Sequence, residues 1–180
     1  VVTGTTGETS TLTDPEKIRL VEVGKSVSAG RAAVITGGGS NETAHAIELY
    51  KASEKAGADG LMIVTPYYNK PTQEGLYRHF RAVAEAAPTP VILYNVPGRT
   101  GVDLLPETVG RLAKLPRVVA VKEAVASIER IRELVAACGP DFDVLSGDDA
   151  TARDAVAAGA RGVISVTANV APKLMRQMCD

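Results

Sequence analysis

The stretch from Val91 to Glu123, VILYNVPGRTGVDLLPETVGRLAKLPRVVAVKE, decides the fold. It opens with an apolar run over Val91–Tyr94 and closes with another over Val118–Val121. Neither run alternates between apolar and polar residues, which is typical of strands buried on both faces. Between them, Pro106–Lys114 has the spacing of an amphipathic helix. This order predicts a βαβ unit with parallel strands.

The same alternation recurs along the whole chain. Glycines at 57, 139 and 159 follow predicted helices and lead into the next apolar run, as expected at helix C-termini. The other predicted strands are Val1–Thr3, Ala33–Thr36, Leu61–Thr65, Val144–Ser146 and Val163–Val166. The other predicted helices are Asp14–Ser28, Asn41–Ala56, Thr72–Ala86, Ser127–Cys138, Asp149–Ala158 and Ala171–Cys179.

Such a parallel α/β sheet is either doubly wound or closed into a barrel. The predicted strands are many for an open sheet and one short of the eight in a (β/α)8 TIM barrel. That barrel typically needs about 250 residues, whereas the chain has 180 and begins with Val. We therefore expect one barrel domain over residues 1–180 that is an internal fragment. It would contain strands 2 to 8 and lack the first strand and the C-terminal helical part.

Composition excludes several classes of protein. Twenty Lys and Arg balance 21 Asp and Glu, for a net charge of −1, which argues against a nucleic-acid or acidic-membrane surface. No apolar run approaches the roughly 18 residues of a membrane span. The cysteines, Cys138 and Cys179, are too few for a disulfide framework, so we predict free thiols and a cytoplasmic protein.

In a parallel barrel the active site gathers at the C-terminal ends of the strands. Lys122 ends the apolar run Val118–Val121. One interpretation is a lysine whose stem follows the apolar surface while its ammonium reaches solvent. The other is an amine whose pKa falls on desolvation, which leaves it free to form a Schiff base. Position alone leaves both open.

Other strand ends carry polar and aromatic side chains. Thr5 and Thr6, between two glycines, suit a carboxylate ligand but also an ordinary glycine-rich turn. Arg99, in a Pro-Gly-Arg-Thr-Gly loop, is either a carboxylate clamp or a solvated loop residue. Three of the five tyrosines, which could be catalytic or core residues with a solvated hydroxyl, follow strands at 67, 68 and 94.

The sequence contains no complete motif for binding a metal or a nucleotide. Gly24-Lys25-Ser26 lacks the upstream glycine of a P-loop, and His45 and His79 are too far apart for a local metal motif. We therefore expect neither a metal nor a nucleotide.

With these strand-end residues, the chain resembles over its entire length the dihydrodipicolinate synthase family, whose members are pyruvate-dependent class I aldolases. Six motifs in order carry this resemblance: GTTGE at 4–8, TPYYNKPTQEGLYRHF at 65–80, YNVPGRTG at 94–101, VKEA at 121–124, LSGDD at 145–149 and GVISVTANV at 162–170.

The resemblance implies a (β/α)8 lyase that condenses pyruvate with L-aspartate 4-semialdehyde in lysine and diaminopimelate biosynthesis, without a cofactor. It also implies a homodimer or homotetramer in which Tyr68 reaches the active site of a neighbouring subunit. The implied roles are Schiff-base formation for Lys122, proton transfer for Tyr94, Thr5 and Tyr68, pyruvate binding for Thr6 and Ile164, and semialdehyde binding for Arg99.

The resemblance also points to a regulatory site. Members inhibited by lysine bind it with an asparagine, a glutamate, a tyrosine and a histidine. Asn41 and Tyr67 match, but Lys17 replaces the histidine and His45 replaces the glutamate. A cation facing the ligand's ammonium and the loss of a carboxylate both weaken binding. We therefore expect weak or absent feedback by lysine.

Two alternatives remain at this point. One is another pyruvate-dependent enzyme of the superfamily, such as an N-acetylneuraminate lyase or a 2-keto-3-deoxy-sugar acid aldolase, from which Arg99 would distinguish the synthase. The other is a non-catalytic βα module that binds phosphate through its glycine loops.

We also expect that the 180-residue chain alone neither folds stably nor catalyses, because an unclosed barrel leaves strand edges unpaired.

Overall fold

A computed structural model describes residues 1–86 and 88–180 of the chain. Strands and helices alternate along the described sequence, as the βαβ pattern predicts. The strands are β1 Ile35–Gly38, β2 Gly60–Val64, β3 Val91–Asn95, β4 Val118–Glu123, β5 Asp143–Ser146 and β6 Gly162–Val163. The helices are α1 Asp14–Ser28, α2 Thr43–Lys55, α3 Gln73–Ala86, α4 Pro97–Thr100, α5 Pro106–Leu112, α6 Ile128–Cys138, α7 Ala152–Ala157 and α8 Pro172–Cys179.

The described strands form one parallel sheet in the order β1-β2-β3-β4-β5-β6. Each strand therefore pairs with its neighbours in the chain. A doubly wound sheet would reverse this order at a switch point, and the described part of the chain contains no such reversal. The parallel α/β class predicted from the alternation is confirmed.

The two faces of the sheet bury different sets of side chains because successive residues of a strand point to opposite sides. The larger core lies between the sheet and the helices and includes Leu61, Leu93 and Val121 together with Phe80 and Leu134. A smaller cluster occupies the other face and comprises Met62, Ile92, Tyr94, Val96 and Ala120. Tyr94, a predicted site residue described below, belongs to this second face.

The predicted first strand, Val1–Thr3, is wrong as a strand. Only Val2 pairs, in an isolated parallel bridge with Thr36 of β1, and its backbone bonds Ile35 and Gly37. Thr3 then adopts a positive φ of 54°, so the chain leaves the extended conformation after one bridge. The segment nevertheless lies beside β1, where a parallel neighbour was expected.

The last predicted strand, Val163–Val166, is also too long. Ile164 still donates its backbone N–H to Ser146 at 2.9 Å. Beyond it, the Asp149 carboxylate accepts the backbone N–H groups of Val166 and Thr167 at 3.1 and 2.8 Å. These bonds turn the chain into a 3₁₀ segment, Thr167–Asn169, and end the strand at Val163.

Two helices begin later than predicted because an acidic side chain accepts backbone N–H groups at the start of the helix. Glu42 caps α2 by accepting from Ala44 and His45, so the helix begins at Thr43 rather than Asn41. Asp148 accepts from both the N–H and the hydroxyl of Thr151, and α7 begins at Ala152 rather than Asp149. Helix α1 matches its prediction and begins with a capping box of Thr13 and Glu16.

Gly37 permits the closest backbone approach in this region. A Cβ added there would lie 2.9 Å from the Cα and N of Gly4 and from the carbonyl oxygen of Thr3. The segment that enters the Gly4–Gly7 loop therefore rests directly on β1. No side chain fits at residue 37 without moving that loop.

We predict that Gly37→Ala lowers the free energy of unfolding of the intact protein by about 1–3 kcal/mol, because backbone atoms must move to admit the methyl group. Denaturant titration followed by circular dichroism measures this change. Gly98→Ala is the matched control, since a Cβ there meets no atom of the described residues within 4 Å. Equal stability losses in the two variants would contradict the prediction.

Candidate active site

Lys122 and Tyr94 lie side by side at the C-terminal ends of β4 and β3. The strand register pairs them directly, and the Lys122 Nζ lies 4.3 Å from the centroid of the Tyr94 ring. Both side chains are buried, with 7% and 5% of their surface exposed. The structure therefore contradicts the interpretation of Lys122 as a lysine that extends into solvent.

Burial lowers the pKa of the Lys122 ammonium from its ordinary value, because the low-polarity surroundings disfavour the charged form. The negative charge of Asp149 acts in the opposite direction and raises that pKa. A lysine with a lowered pKa presents more neutral amine near pH 7, and the neutral amine is the nucleophile in Schiff-base chemistry.

A glycine makes room for the Lys122 stem. A Cβ at Gly147 would lie 3.0 Å from the Lys122 Cε and 3.2 Å from the Glu123 carbonyl oxygen. Gly147 also donates its N–H to that carbonyl at 2.7 Å. The turn after β5 therefore packs against the lysine and restricts its position.

A cavity of about 310 Å³ opens around Lys122. Thr6 and Ile164, both predicted to bind substrate, line it. Its other lining residues are Val1, Thr3, Gly4, Gly7, Met62, Ser165, Val166 and Asn169. Thr6 and the glycines of its loop thus line the same space as Lys122, an arrangement suited to a small carboxylate beside a nucleophile.

A second cavity, of about 150 Å³, holds Thr5 and Tyr94. Met62 lines both cavities, so they adjoin across one side chain. Tyr67 and Lys17 also line the second cavity. The structure therefore brings together Lys122, Tyr94, Thr5, Thr6 and Ile164 within two neighbouring spaces at one end of the sheet.

Two predicted site residues lie away from these cavities. Tyr68 has 87% of its surface exposed and a positive φ of 70°, and it lines neither of the two cavities described. Arg99 is exposed on α4. Within the described chain, the proton relay expected from Tyr94 through Thr5 to Tyr68 is therefore not assembled.

The four predicted regulatory positions contact other groups. The side chain of Asn69 donates to the Asn41 carbonyl at 2.8 Å. His45 contacts Asp14 through Nε2 at 2.6 Å, and the Lys17 Nζ pairs with the same carboxylate at 3.1 Å. The pKa of Asp14 is lowered, mainly by its hydrogen bond to His45. Tyr67 and Lys17 line one cavity.

Sequence reasoning assigned no role to Asp149. Its Oδ2 accepts the Val166 N–H, the Thr167 N–H and the Thr167 hydroxyl, so it anchors the loop that follows Ile164. Asp149 lies at the end of the Leu145–Asp149 motif, but nothing in one strand end indicates which distant loop a carboxylate will hold. The contact between Asp149 and the Val166–Thr167 segment is a tertiary one, which the sequence does not indicate.

Among the described residues, no group of three or more His, Cys, Asp or Glu side chains is arranged to hold a metal ion. Within the same residues, no helix has both the length and the apolar character needed to cross a membrane.

We predict that Lys122 reacts with cyanate at lower pH than an ordinary lysine, because cyanate attacks the neutral amine and burial lowers the pKa of Lys122. Peptide mass spectrometry of the intact protein across a pH series gives the midpoint, with Nα-acetyl-lysine amide in the same tube as reference. Asp149→Asn removes a charge that raises this pKa, so its midpoint should fall further. A Lys122 midpoint at or above the reference would show that the prediction is wrong.

Comparison with known proteins agrees with this geometry. The model of the Dihydrodipicolinate synthetase family matches residues 1–180. The 4-hydroxy-tetrahydrodipicolinate synthases of Methylococcus capsulatus and Thioalkalivibrio sulfidiphilus are 55% and 54% identical to the chain, over 99% and 100% of its length and 62% and 61% of theirs.

Solved structures agree as well. The chloride-inhibited dihydrodipicolinate synthase from Acinetobacter baumannii, complexed with pyruvate, matches with a TM-score of 0.96 and 51% identity, over 98% of this chain and 61% of that one. The enzyme from Aquifex aeolicus matches with a TM-score of 0.96 and 45% identity, over 99% and 61%. The chain thus spans about 62% of the length of the first relative. With the family model matched from end to end, the chain belongs to the dihydrodipicolinate synthetase family.

Proposed function

We propose that the intact protein is a 4-hydroxy-tetrahydrodipicolinate synthase, a lyase that joins pyruvate to L-aspartate 4-semialdehyde through a Schiff base. The observation that carries this proposal is the buried Lys122, with its lowered pKa, beside Tyr94 and a cavity lined by Thr6 and Ile164. The relative from Acinetobacter baumannii, complexed with pyruvate, supports the choice of first substrate.

The chemistry starts at the Lys122 amine. It attacks the keto carbon of pyruvate and water leaves, which gives a protonated imine. The imine withdraws electrons, so the methyl carbon can lose a proton and form an enamine. The enamine carbon then attacks the aldehyde carbon of the semialdehyde, whose oxygen takes up a proton, and the lysine imine forms again. The amino group of the semialdehyde attacks the imine carbon, which closes the ring and releases the Lys122 amine. Lys122 forms the bond to pyruvate, Thr6 and the Ile164 backbone hold the molecule, and its carboxylate contacts the Thr5–Thr6 loop.

Proton transfer falls to Tyr94 and Thr5 in this proposal. Tyr94 lies against the Lys122 amine and lines a cavity together with Thr5. Tyr68 completes the relay from a neighbouring subunit, which requires a homodimer or homotetramer. Its almost complete exposure supports this role, because a large aromatic side chain that covers nothing in its own chain is available to a partner.

Arg99 receives the carboxylate of the semialdehyde at the site entrance. Its exposed position on α4, two residues beyond Pro97, leaves the guanidinium free to bind an incoming anion. This choice separates the synthase from the related sugar-acid aldolases, whose aldehydes carry hydroxyl groups instead.

We also propose that the parallel sheet is part of a closed (β/α)8 barrel. The unreversed strand order supports closure, and in this proposal the Val2 bridge and the six strands correspond to strands 2 to 8 of the barrel. We expect the enzyme to act without a cofactor in the cytoplasm. We further expect that the 180-residue chain alone lacks stability and activity, because its sheet edges are unpaired.

Borohydride reduction tests the function directly. In the intact protein, borohydride with pyruvate should leave a reduced adduct on Lys122, located by peptide mass spectrometry. Lys122→Arg should abolish the adduct, and Tyr94→Phe should slow turnover by roughly 10²–10⁴-fold because a proton-transfer group is lost.

Arg99→Ala is the matched control. It should retain the pyruvate adduct while it cripples use of the semialdehyde. Failure of the wild-type protein to form any adduct at Lys122 would overturn the proposal and favour a non-catalytic binding module.

We predict weak or absent inhibition of the intact enzyme by lysine. Lys17, a cation, lines the same cavity as Tyr67, and His45 supplies no carboxylate. A double variant, Lys17→His with His45→Glu, should increase sensitivity to lysine because it removes one repulsive cation and adds one anion. Inhibition of the unaltered enzyme by sub-millimolar lysine in a steady-state assay would refute this expectation.

A further inference from the structure

Behind the two reactive side chains lies a second pair of residues, one position further along each strand. Asn95 follows Tyr94 and Glu123 follows Lys122, and the register pairs Asn95 with Glu123. Because side chains alternate along a strand, these two point to the helix-covered face rather than into the cavity. Asn95 and Glu123 are buried, with 0% and 1% of their surface exposed.

The pair is joined directly across the two strands. The Asn95 Nδ2 donates to the two Glu123 carboxylate oxygens at 3.0 and 3.2 Å and to the Asp103 Oδ1 at 2.7 Å. The Asn95 Oδ1 accepts the Leu104 N–H at 3.0 Å. Every polar group of this amide is therefore used, and its orientation is determined by its partners.

A cation on the neighbouring helix holds the carboxylates. Arg130 of α6 donates to both oxygens of Asp103, at 3.0 and 2.8 Å, and lies 3.5 Å from the Glu123 Oε2. The Val125 N–H also donates to Glu123, at 2.8 Å. Glu123 thus has partners on β3, on α6 and in the turn after β4, all on the side away from the cavity.

The β3–β4 ladder needs such a constraint because its register is irregular. Val91 pairs with Val118, but Ile92 pairs with Ala120, so one extra residue enters β4 near its start. An offset of one residue would move every side chain of β4 to the opposite face. Lys122 would then face Arg130, and Glu123 would face the cavity.

We propose that Asn95 and Glu123 are positioning residues for the reaction: their buried contact sets the register that places Lys122 beside Tyr94. This inference rests on the proposed function, since it concerns the step that those two side chains carry out. Neither residue touches the cavity that would receive pyruvate, so their effect is expected on rate rather than on substrate binding.

The test uses Asn95→Leu and Glu123→Gln in the intact protein. Pyruvate imine formation is followed by rapid mixing and borohydride quench, beside steady-state kcat and KM. We expect imine formation and kcat to fall roughly 100-fold in Asn95→Leu, because a displacement of about 1 Å costs about that much. Glu123→Gln keeps one acceptor oxygen and should fall roughly 10-fold. KM for pyruvate should stay close to the wild-type value in both variants.

Asp59→Asn is the control for a loss of stability alone. Asp59 precedes β2 at the opposite end of the sheet, pairs with Lys25 at 2.8 Å and accepts the Val34 N–H at 2.7 Å. This variant should lower the melting temperature without changing the rate of imine formation. Asp103→Asn, which weakens the same network from a partly exposed position, replaces Asn95→Leu if that variant does not fold.

The outcomes separate the two proposals. A wild-type adduct with unchanged rates in the Asn95, Glu123 and Asp103 variants overturns the positioning role and leaves the proposed function intact. A rise in KM with unchanged kcat also overturns it. Absence of an adduct in the wild-type protein overturns the proposed function and this inference with it.

Discussion

The register between β3 and β4 is the constraint on which the candidate site depends. It pairs Tyr94 with Lys122 on one face and Asn95 with Glu123 on the other. One face then contains an amine whose pKa is lowered by burial, and the other contains a carboxylate held by hydrogen bonds and a guanidinium. Because the side chains of a strand alternate, a register that gives the buried Glu123 its hydrogen-bond partners also directs Lys122 into the cavity. The same register therefore buries Glu123 among its partners and places Lys122 beside Tyr94.

Much of the fold could be predicted from the sequence because buried parallel strands and amphipathic helices leave different periodicities. Helix α1 matches residue for residue, and five of the predicted strands recur within a few residues at each end. The errors lie where one side chain redirects the backbone. Thr3 takes a positive φ and ends the first segment, and Asp149 captures the N–H groups that would have extended β6. Periodicity does not encode such tertiary hydrogen bonds.

The candidate site was predictable to the extent that its residues lie at strand ends. Lys122, Tyr94, Thr5, Thr6 and Ile164 meet as the rule for parallel sheets requires. Asn95 and Glu123 are the last residues of β3 and β4, and two-residue periodicity would have placed them on the helix side. Their partners, Asp103 and Arg130, are 8 and 7 residues further along the chain, and no local pattern indicates that those side chains turn back toward the sheet. Tyr68 projects from a loop and Arg99 from the short helix α4, where position along the sequence says little about the direction of a side chain.

The central claim is that Lys122 is the residue that becomes covalently linked to the substrate. A crystal structure of the intact protein soaked with pyruvate tests it most directly. We expect continuous electron density from the Lys122 Nζ to the keto carbon, with the carboxylate against the Thr5–Thr6 loop and the Tyr94 hydroxyl beside the new bond. Pyruvate bound away from a free Lys122 amine, or linked to another residue, would contradict it.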